Sequence, residues 1–128
     1  MIEIGKHTIG GNAPLALIAG PCVIENYETA REIAAGLKAI CDRLDIPLIF
    51  KASYDKANRT YGQPFRGPGM NDGLKILAEI KNEFNLPILS DIHRISEIPE
   101  ASRLLDFIQI PAFLCRELEG LIDGSVVG

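Results

Sequence analysis

Four short apolar runs divide the sequence, and they cover residues 15–19, 47–50, 86–89 and 107–110. None of them alternates polar with apolar residues, which is typical of strands that are covered on both faces of a parallel sheet. Residues 1–11, which end in Gly10 and Gly11, predict a small β-hairpin ahead of the first run. The pattern therefore indicates a hairpin followed by four buried strands.

The segments between the strands repeat apolar residues every three or four positions, as amphipathic helices do. The first helix carries the most complete set: Ala30, Ile33, Leu37, Ile40, Cys41 and Leu44. Asn26 is its candidate cap, and Cys41 is expected in the core. A second helix is predicted behind Asn71 or Asp72, and a shorter third helix begins near Ser96.

Alternating strands and helices predict an α/β fold with right-handed crossovers. Two architectures compete: an open doubly wound sheet, and part of a (β/α)₈ TIM barrel. Reactive side chains follow every strand at its carboxyl end, at Cys22, Lys51, Asp91 and Gln109, which favours the barrel. An open sheet would concentrate them at one switch point. A complete barrel needs about 250 residues, so we expect residues 1–128 to form a single partial domain with the first four βα units.

Composition narrows the class of protein. The chain is 47% hydrophobic and 23% charged, as in ordinary soluble proteins, and its net charge of -4 argues against a general nucleic-acid binder. No apolar run approaches the roughly 18 residues of a membrane span, and the first residues lack the pattern of a secretory signal. We therefore expect a cytoplasmic protein without a membrane partner. Three widely spaced cysteines fit reduced thiols better than disulfides.

The segment 50–69 is the most informative part of the chain. It follows the second predicted strand and carries four cations: Lys51, Lys56, Arg59 and Arg66. Lysine and arginine are almost never fully buried unless they are paired, so these side chains need either solvent or an anion. An ordinary basic surface loop is one interpretation. The neighbouring serine, asparagine and threonine side chains and the closing glycines favour a preformed site for phosphate or carboxylate.

Other polar residues at strand ends also have two interpretations. Cys22 is either a small buried residue or a metal ligand or nucleophile. Asp91 and His93 can project in the same direction, either as a satisfied hydrogen-bonded pair or to bind a substrate hydroxyl or move a proton. Gln109 interrupts an apolar strand, and a buried amide there has to bond a neighbour or a ligand. Arg116 is most simply a solvated helix residue.

Five segments together resemble one enzyme family in order and spacing up to residue 116. They are residues 18–25, 50–59, 65–69, 90–93 and 108–116. The family is that of the 3-deoxy-D-manno-octulosonate 8-phosphate synthases (Kdo-8-phosphate synthases, also called 2-dehydro-3-deoxyphosphooctonate aldolases). The run 51–59 is the most specific part of the resemblance. Residues 20–22 are less specific, because the related 3-deoxy-heptulosonate 7-phosphate synthases share them.

The resemblance implies a fold and an activity. The family forms (β/α)₈ barrels, usually as homotetramers. It condenses phosphoenolpyruvate with D-arabinose 5-phosphate and water, which yields the eight-carbon sugar acid phosphate of lipopolysaccharide biosynthesis and releases phosphate. Fixed cations are what such a reaction needs, because two phosphorylated anions have to be brought together.

The resemblance also implies roles for individual residues. Those expected to bind phosphoenolpyruvate are Lys51, Lys56, Gln109 and Ala112. Those expected to bind arabinose 5-phosphate are Asn58, Arg59, Thr60, Asp91 and Arg116, the last of them from a neighbouring subunit. Lys51, Lys56 and Asp91 are the expected catalytic residues. Cys22 would bind a divalent metal such as zinc, iron or manganese in the metal-dependent class, although one ligand alone does not hold a metal.

Two other functions stay open on the sequence alone. One is a 3-deoxy-heptulosonate 7-phosphate synthase, and the other is a truncated, non-catalytic chain that binds sugar phosphate or only self-associates. Half a barrel leaves strand edges and core residues uncovered. We therefore expect these 128 residues alone to self-associate. We also expect them to show no turnover, because the family's second half supplies the remaining ligands.

Overall fold

A computed structural model describes residues 1–56 and 66–116 of the chain. Its strands are β1 (Ile2–Ile4), β2 (His7–Ile9), β3 (Leu17–Ala19), β4 (Leu48–Lys51), β5 (Ile88–Asp91) and β6 (Phe107–Gln109). Its α-helices are α1 (Tyr27–Leu44), α2 (Met70–Phe84) and α3 (Ile98–Ser102), and a 3₁₀ turn at Ile95–Glu97 leads into α3. Residues 112–116 are also helical.

The strands form two sheets in this part of the chain. β1 and β2 pair antiparallel, with Ile2 opposite Ile9. The other four strands form a parallel sheet in the order β3-β4-β5-β6, which confirms the predicted α/β class. This spatial order is also the order along the chain, whereas a doubly wound sheet reverses its order at a switch point. The four described strands contain no such reversal.

The helices cover one face of the parallel sheet. Alternate residues of a strand point to the same face, and Leu48, Phe50 and Ile88 belong to the same buried core as α1 and α2. The two helices also pack against each other, and the Arg31 guanidinium joins them by a salt bridge to Glu83. Side chains at the intervening strand positions therefore point away from the helices.

Helix α1 begins as predicted and differs from the prediction in its buried face. The Asn26 side chain accepts a hydrogen bond from the Thr29 N–H at 2.8 Å, which confirms the predicted cap. Cys41 is buried, as expected, but Ile40 and Leu44 are exposed. The buried stripe of the helix instead follows its small residues Ala30 and Ala34, because these allow the helix to approach the sheet closely.

Helix α2 begins earlier than the sequence pattern indicates. Its cap is Gly69 and its first residue is Met70, so the prediction of a cap at Asn71 or Asp72 is wrong. Gly69 has a φ of 89°, a conformation that glycine adopts easily, and its N–H donates to the Tyr54 carbonyl at 2.9 Å. A tertiary contact therefore fixes the start of this helix.

The carboxylate of Asp106 fixes where β5 begins. It accepts hydrogen bonds from the Lys81 ammonium of α2 at 2.9 Å and from the Ile88 N–H at 2.9 Å. The end of α2 and the start of β5 are thereby held together. None of the described helices is both long and apolar enough to cross a membrane.

Candidate active site

Three predicted site residues are the last residues of neighbouring strands. Lys51 ends β4, Asp91 ends β5 and Gln109 ends β6. Lys51 lies opposite Leu89 in the parallel register, and Asp91 lies opposite Gln109. Because Leu89 and Asp91 are two positions apart on β5, all of these side chains share the face of the sheet that points away from the helices.

A cavity of about 650 Å³ opens at this end of the sheet. The residues that line it are Cys22, Lys56, Asp91, His93, Gln109, Pro111, Ala112 and Phe113. Five of these eight are predicted site residues that come from four separate parts of the sequence. Lys51 shares the sheet face but is not among the lining residues, and Arg116 is exposed on the helical segment 112–116.

Lys56 brings a positive charge into this cavity. Its ammonium donates to the hydroxyl of Ser53 at 2.7 Å, and Ser53 is buried. Neither Lys51 nor Lys56 forms a salt bridge within residues 1–56 and 66–116. The hydroxyl is a neutral partner that fixes the position of the ammonium without cancelling its charge, so the charge stays available to an anion.

Arg66 has a different role from the one that its place in the cation cluster predicts. Its guanidinium forms a bidentate ion pair with Asp55, with nitrogen–oxygen distances of 3.2 and 3.1 Å. The Lys56 N–H also donates to the Arg66 carbonyl at 2.7 Å. These bonds bring the two ends of the segment 57–65 together. The predicted sugar-phosphate ligands Asn58, Arg59 and Thr60 fall within that segment and lie outside the described residues.

Asp91 and His93 are buried together without satisfying each other. The His93 Nε2 lies 3.9 Å from the Asp91 Oδ2, and their side chains are 7% and 14% exposed. That distance is too long for a hydrogen bond, and Asp91 Oδ1 and His93 Nε2 have no hydrogen-bond partner among the described residues. The interpretation as a satisfied pair is therefore wrong. Unpaired buried polar atoms cost free energy, which a ligand with matching groups would recover.

Sequence reasoning missed the contacts behind His93. The Tyr54 hydroxyl donates to the Glu97 carboxylate, and the His93 N–H donates to the same oxygen at 3.1 Å. The rings of Tyr54 and His93 meet edge to face, with centroids 5.4 Å apart. Glu97 follows Tyr54 by 43 positions, and no local pattern in the sequence predicts a contact over that separation.

The exposure of two predicted residues bears on their interpretation. Gln109 is exposed, so the expectation of a buried amide is wrong; β6 is the last strand of the described sheet, and its final residue faces the cavity mouth. Cys22 is exposed as well, which excludes the interpretation as a small buried residue. Within residues 1–56 and 66–116, no three His, Cys, Asp or Glu side chains come together in a group that could hold a metal ion. The described residues therefore do not complete a metal site around Cys22.

Tyr54 gives the protein a specific response to alkaline pH. Burial raises the pKa of the Tyr54 phenol above its usual value, and the bond to Glu97 raises this pKa further. Because the phenol holds its proton more tightly in the folded state, it stabilises the protein fully at pH values below its unfolded-state pKa of about 10. This stabilisation is lost as the pH rises above that value. We expect the free energy of unfolding to fall by up to about 1.4 kcal/mol per pH unit above that value on account of Tyr54. Urea unfolding of wild type and Tyr54→Phe across this range measures the difference, and equal slopes would contradict the expectation.

Comparison with known proteins identifies the family of this chain. Residues 1–123 match the model of the DAHP synthetase I family. Three curated relatives are all named 2-dehydro-3-deoxyphosphooctonate aldolase. The protein from Geotalea uraniireducens is 57% identical over 127 residues, that from Geotalea daltonii is 52% identical over 127 residues, and that from Fusobacterium nucleatum is 46% identical over 127 residues.

Each of these alignments covers 99% of this chain and 46–47% of the relative. The chain thus spans about half the length of the curated relatives it matches. The names of the relatives confirm the resemblance to Kdo-8-phosphate synthases, and the family model extends over nearly the whole sequence. On this match the chain belongs to the DAHP synthetase I family.

Proposed function

We propose that the protein to which this chain belongs condenses phosphoenolpyruvate with D-arabinose 5-phosphate and water to form 3-deoxy-D-manno-octulosonate 8-phosphate and phosphate. This chain supplies one half of the site. The observation that carries the proposal is the Lys56 ammonium, which is fixed on Ser53 and faces the same cavity as Asp91 and His93. The shared name of the curated relatives supports the choice of reaction.

The charges in the cavity suit two phosphorylated substrates. Lys56 in the cavity and Lys51 on the same face of the sheet carry the positive charge that anions of this kind need in order to approach each other. Phosphoenolpyruvate would bind there, with Gln109 and the backbone at Ala112 on the far side of the cavity. Holding both substrates in one orientation replaces a collision in water with a reaction inside one complex.

The sugar substrate would occupy the side of the cavity near β5. Asp91 Oδ1 can accept a hydrogen bond from a hydroxyl group, and neither it nor His93 Nε2 has a hydrogen-bond partner in the described part of the chain. We assign to Asp91 the reacting end of arabinose 5-phosphate. Asn58, Arg59 and Thr60 would hold its phosphate, together with Arg116 from a neighbouring subunit of a homotetramer.

The architecture proposed for the whole protein is a (β/α)₈ barrel. The consecutive strand order and the single layer of helices on one face support it, because a barrel is wound in one direction with all its helices outside. The described residues would then supply the first four βα units. A cytoplasmic location follows from the proposed pathway, and Cys22 would be one ligand of a divalent metal, with the remaining ligands coming from residues beyond those described.

A second candidate function comes from the family description itself. The matching family is named for DAHP synthetase, and that activity would use erythrose 4-phosphate in place of arabinose 5-phosphate. The same lysines would serve phosphoenolpyruvate in both reactions. The two candidates therefore differ only in the sugar phosphate.

A chimaeric protein tests both candidates. In it, residues 1–116 replace the matching amino-terminal part of the Geotalea uraniireducens relative, and a spectrophotometric assay follows phosphoenolpyruvate. We expect consumption when arabinose 5-phosphate is present and none without it. Consumption with erythrose 4-phosphate instead would establish the second candidate. A chimaera that melts cooperatively but consumes phosphoenolpyruvate with neither sugar would contradict both.

A further inference from the structure

The carboxylate of Glu97 is a shared acceptor for two groups from different parts of the site. The Tyr54 hydroxyl comes from the segment after β4 and the His93 N–H from the segment after β5, and both donate to Glu97 Oε1. One oxygen therefore ties together two of the segments that build the cavity end of the sheet. The 3₁₀ turn Ile95–Glu97 brings this carboxylate back over the end of β5.

Tyr54 is a rigid partner in this arrangement. It is 1% exposed, and helix α2 approaches it so closely that a Cβ built on Gly73 would lie 2.3 Å from the Tyr54 Cβ. On the other side, the Tyr54 carbonyl accepts the N–H of Gly69 at 2.9 Å. Because neighbouring backbone holds Tyr54 in this way, its hydroxyl presents a fixed point to Glu97.

His93 is the member of the group that faces the cavity. Its ring rests edge to face against Tyr54, and its backbone N–H is bound to Glu97. The His93 Nε2 lies 3.9 Å from the Asp91 Oδ2, which is beyond hydrogen-bond distance. Neither Asp91 Oδ1 nor His93 Nε2 finds another partner among the described residues, so both retain their hydrogen-bonding capacity for a ligand.

We propose that Glu97 is a positioning residue, which fixes His93 against Tyr54 and thereby keeps the imidazole from closing onto Asp91. The inference rests on the proposed function only for the identity of the ligand that the freed groups bind. In this role the length of the Glu97 side chain matters more than its charge. An acceptor oxygen at the same distance along the side chain serves both donors, whether or not it is charged.

The reach and the charge of Glu97 are separated by two conservative substitutions. Glu97→Gln keeps the side-chain length and an acceptor oxygen, whereas Glu97→Asp keeps the charge and is one methylene shorter. The chain has only two histidines, so the substitution His7→Gln leaves His93 as the single imidazole to be observed by NMR. The readout is the nuclear Overhauser effect between the ring protons of His93 and those of Tyr54. This measurement requires neither substrate nor turnover.

We expect Glu97→Gln to retain the contact between the two rings and Glu97→Asp to lose it. Glu100→Asp, at an exposed position in the first turn of α3, is the matched control and should leave the contact unchanged. A contact that persists in Glu97→Asp would overturn the proposal, and so would one that is lost in Glu97→Gln. If Glu97→Asp does not fold, Tyr54→Phe gives a second test, because phenylalanine keeps the ring and removes the hydroxyl that donates to Glu97. An unchanged contact between His93 and the ring at position 54 would show that Glu97 does not position His93 through Tyr54.

Discussion

Replacing Gly20 with alanine is expected to destabilise the protein by about 3 kcal/mol or more. A Cβ at this position would lie 1.7 Å from the Lys51 carbonyl oxygen and 2.7 Å from the carbonyl carbon. Backbone atoms of a paired strand cannot move aside as a flexible side chain does, so the end of β3 would have to separate from the end of β4. Urea unfolding at neutral pH measures the loss.

Gly36 supplies the matched control for this substitution. It lies inside α1 at an exposed position, and a Cβ there would meet nothing within 4 Å. Alanine in a helix interior is more stable than glycine by about 0.5–1 kcal/mol, so Gly36→Ala should raise the free energy of unfolding. A Gly20→Ala protein that is as stable as wild type would show that β3 and β4 do not approach each other as described.

The second large effect is expected at Lys56, where Lys56→Met should weaken the binding of phosphoenolpyruvate by about 10- to 100-fold. A hydrogen bond to a charged group contributes about 1.5–3 kcal/mol, and each 1.4 kcal/mol corresponds to a factor of ten in affinity. Methionine keeps much of the length of the side chain and removes its charge. Titration calorimetry with phosphoenolpyruvate on the folded chain measures the change directly.

The control for Lys56 is an exposed lysine that does not line the cavity. Lys75 lies on α2, and Lys75→Met removes the same charge from the protein as a whole. It should leave the affinity for phosphoenolpyruvate within about twofold of wild type, because exposed charges at a distance are screened by salt. Equal losses in both variants would mean that overall charge, and not a site on Lys56, attracts the anion.

The sequence predicted those features that depend on local pattern. Unbroken apolar runs identified the four described strands of the parallel sheet. The expectation that all four are buried is wrong for β3, where Leu17 and Ile18 are exposed, because β3 lies at the edge of the described sheet. The Asn26 cap was also predictable, because its bond to the Thr29 N–H spans three residues. The polar residues at the strand ends, such as Asp91, could be grouped because parallel strands bring their carboxyl ends to one edge.

Features that depend on contacts between distant segments could not be read from the sequence. The start of α2 is set by Gly69 against the Tyr54 carbonyl, and helix propensity does not register such a contact. The exposure of Gln109 depends on its neighbours in space. Glu97 resembles any acidic residue near a helix start until the fold places it beside Tyr54 and His93.

The ion pair between Asp55 and Arg66 and the hydrogen bond from the Lys56 N–H to the Arg66 carbonyl hold residues 55 and 56 against residue 66. When the two ends of a segment are held together in this way, the segment can be exchanged at little cost, because the free energy of closing a loop changes only slowly with its length. Replacing residues 57–65 with the corresponding segment of a relative should therefore leave the sheet and the bond between the Lys56 ammonium and Ser53 in place.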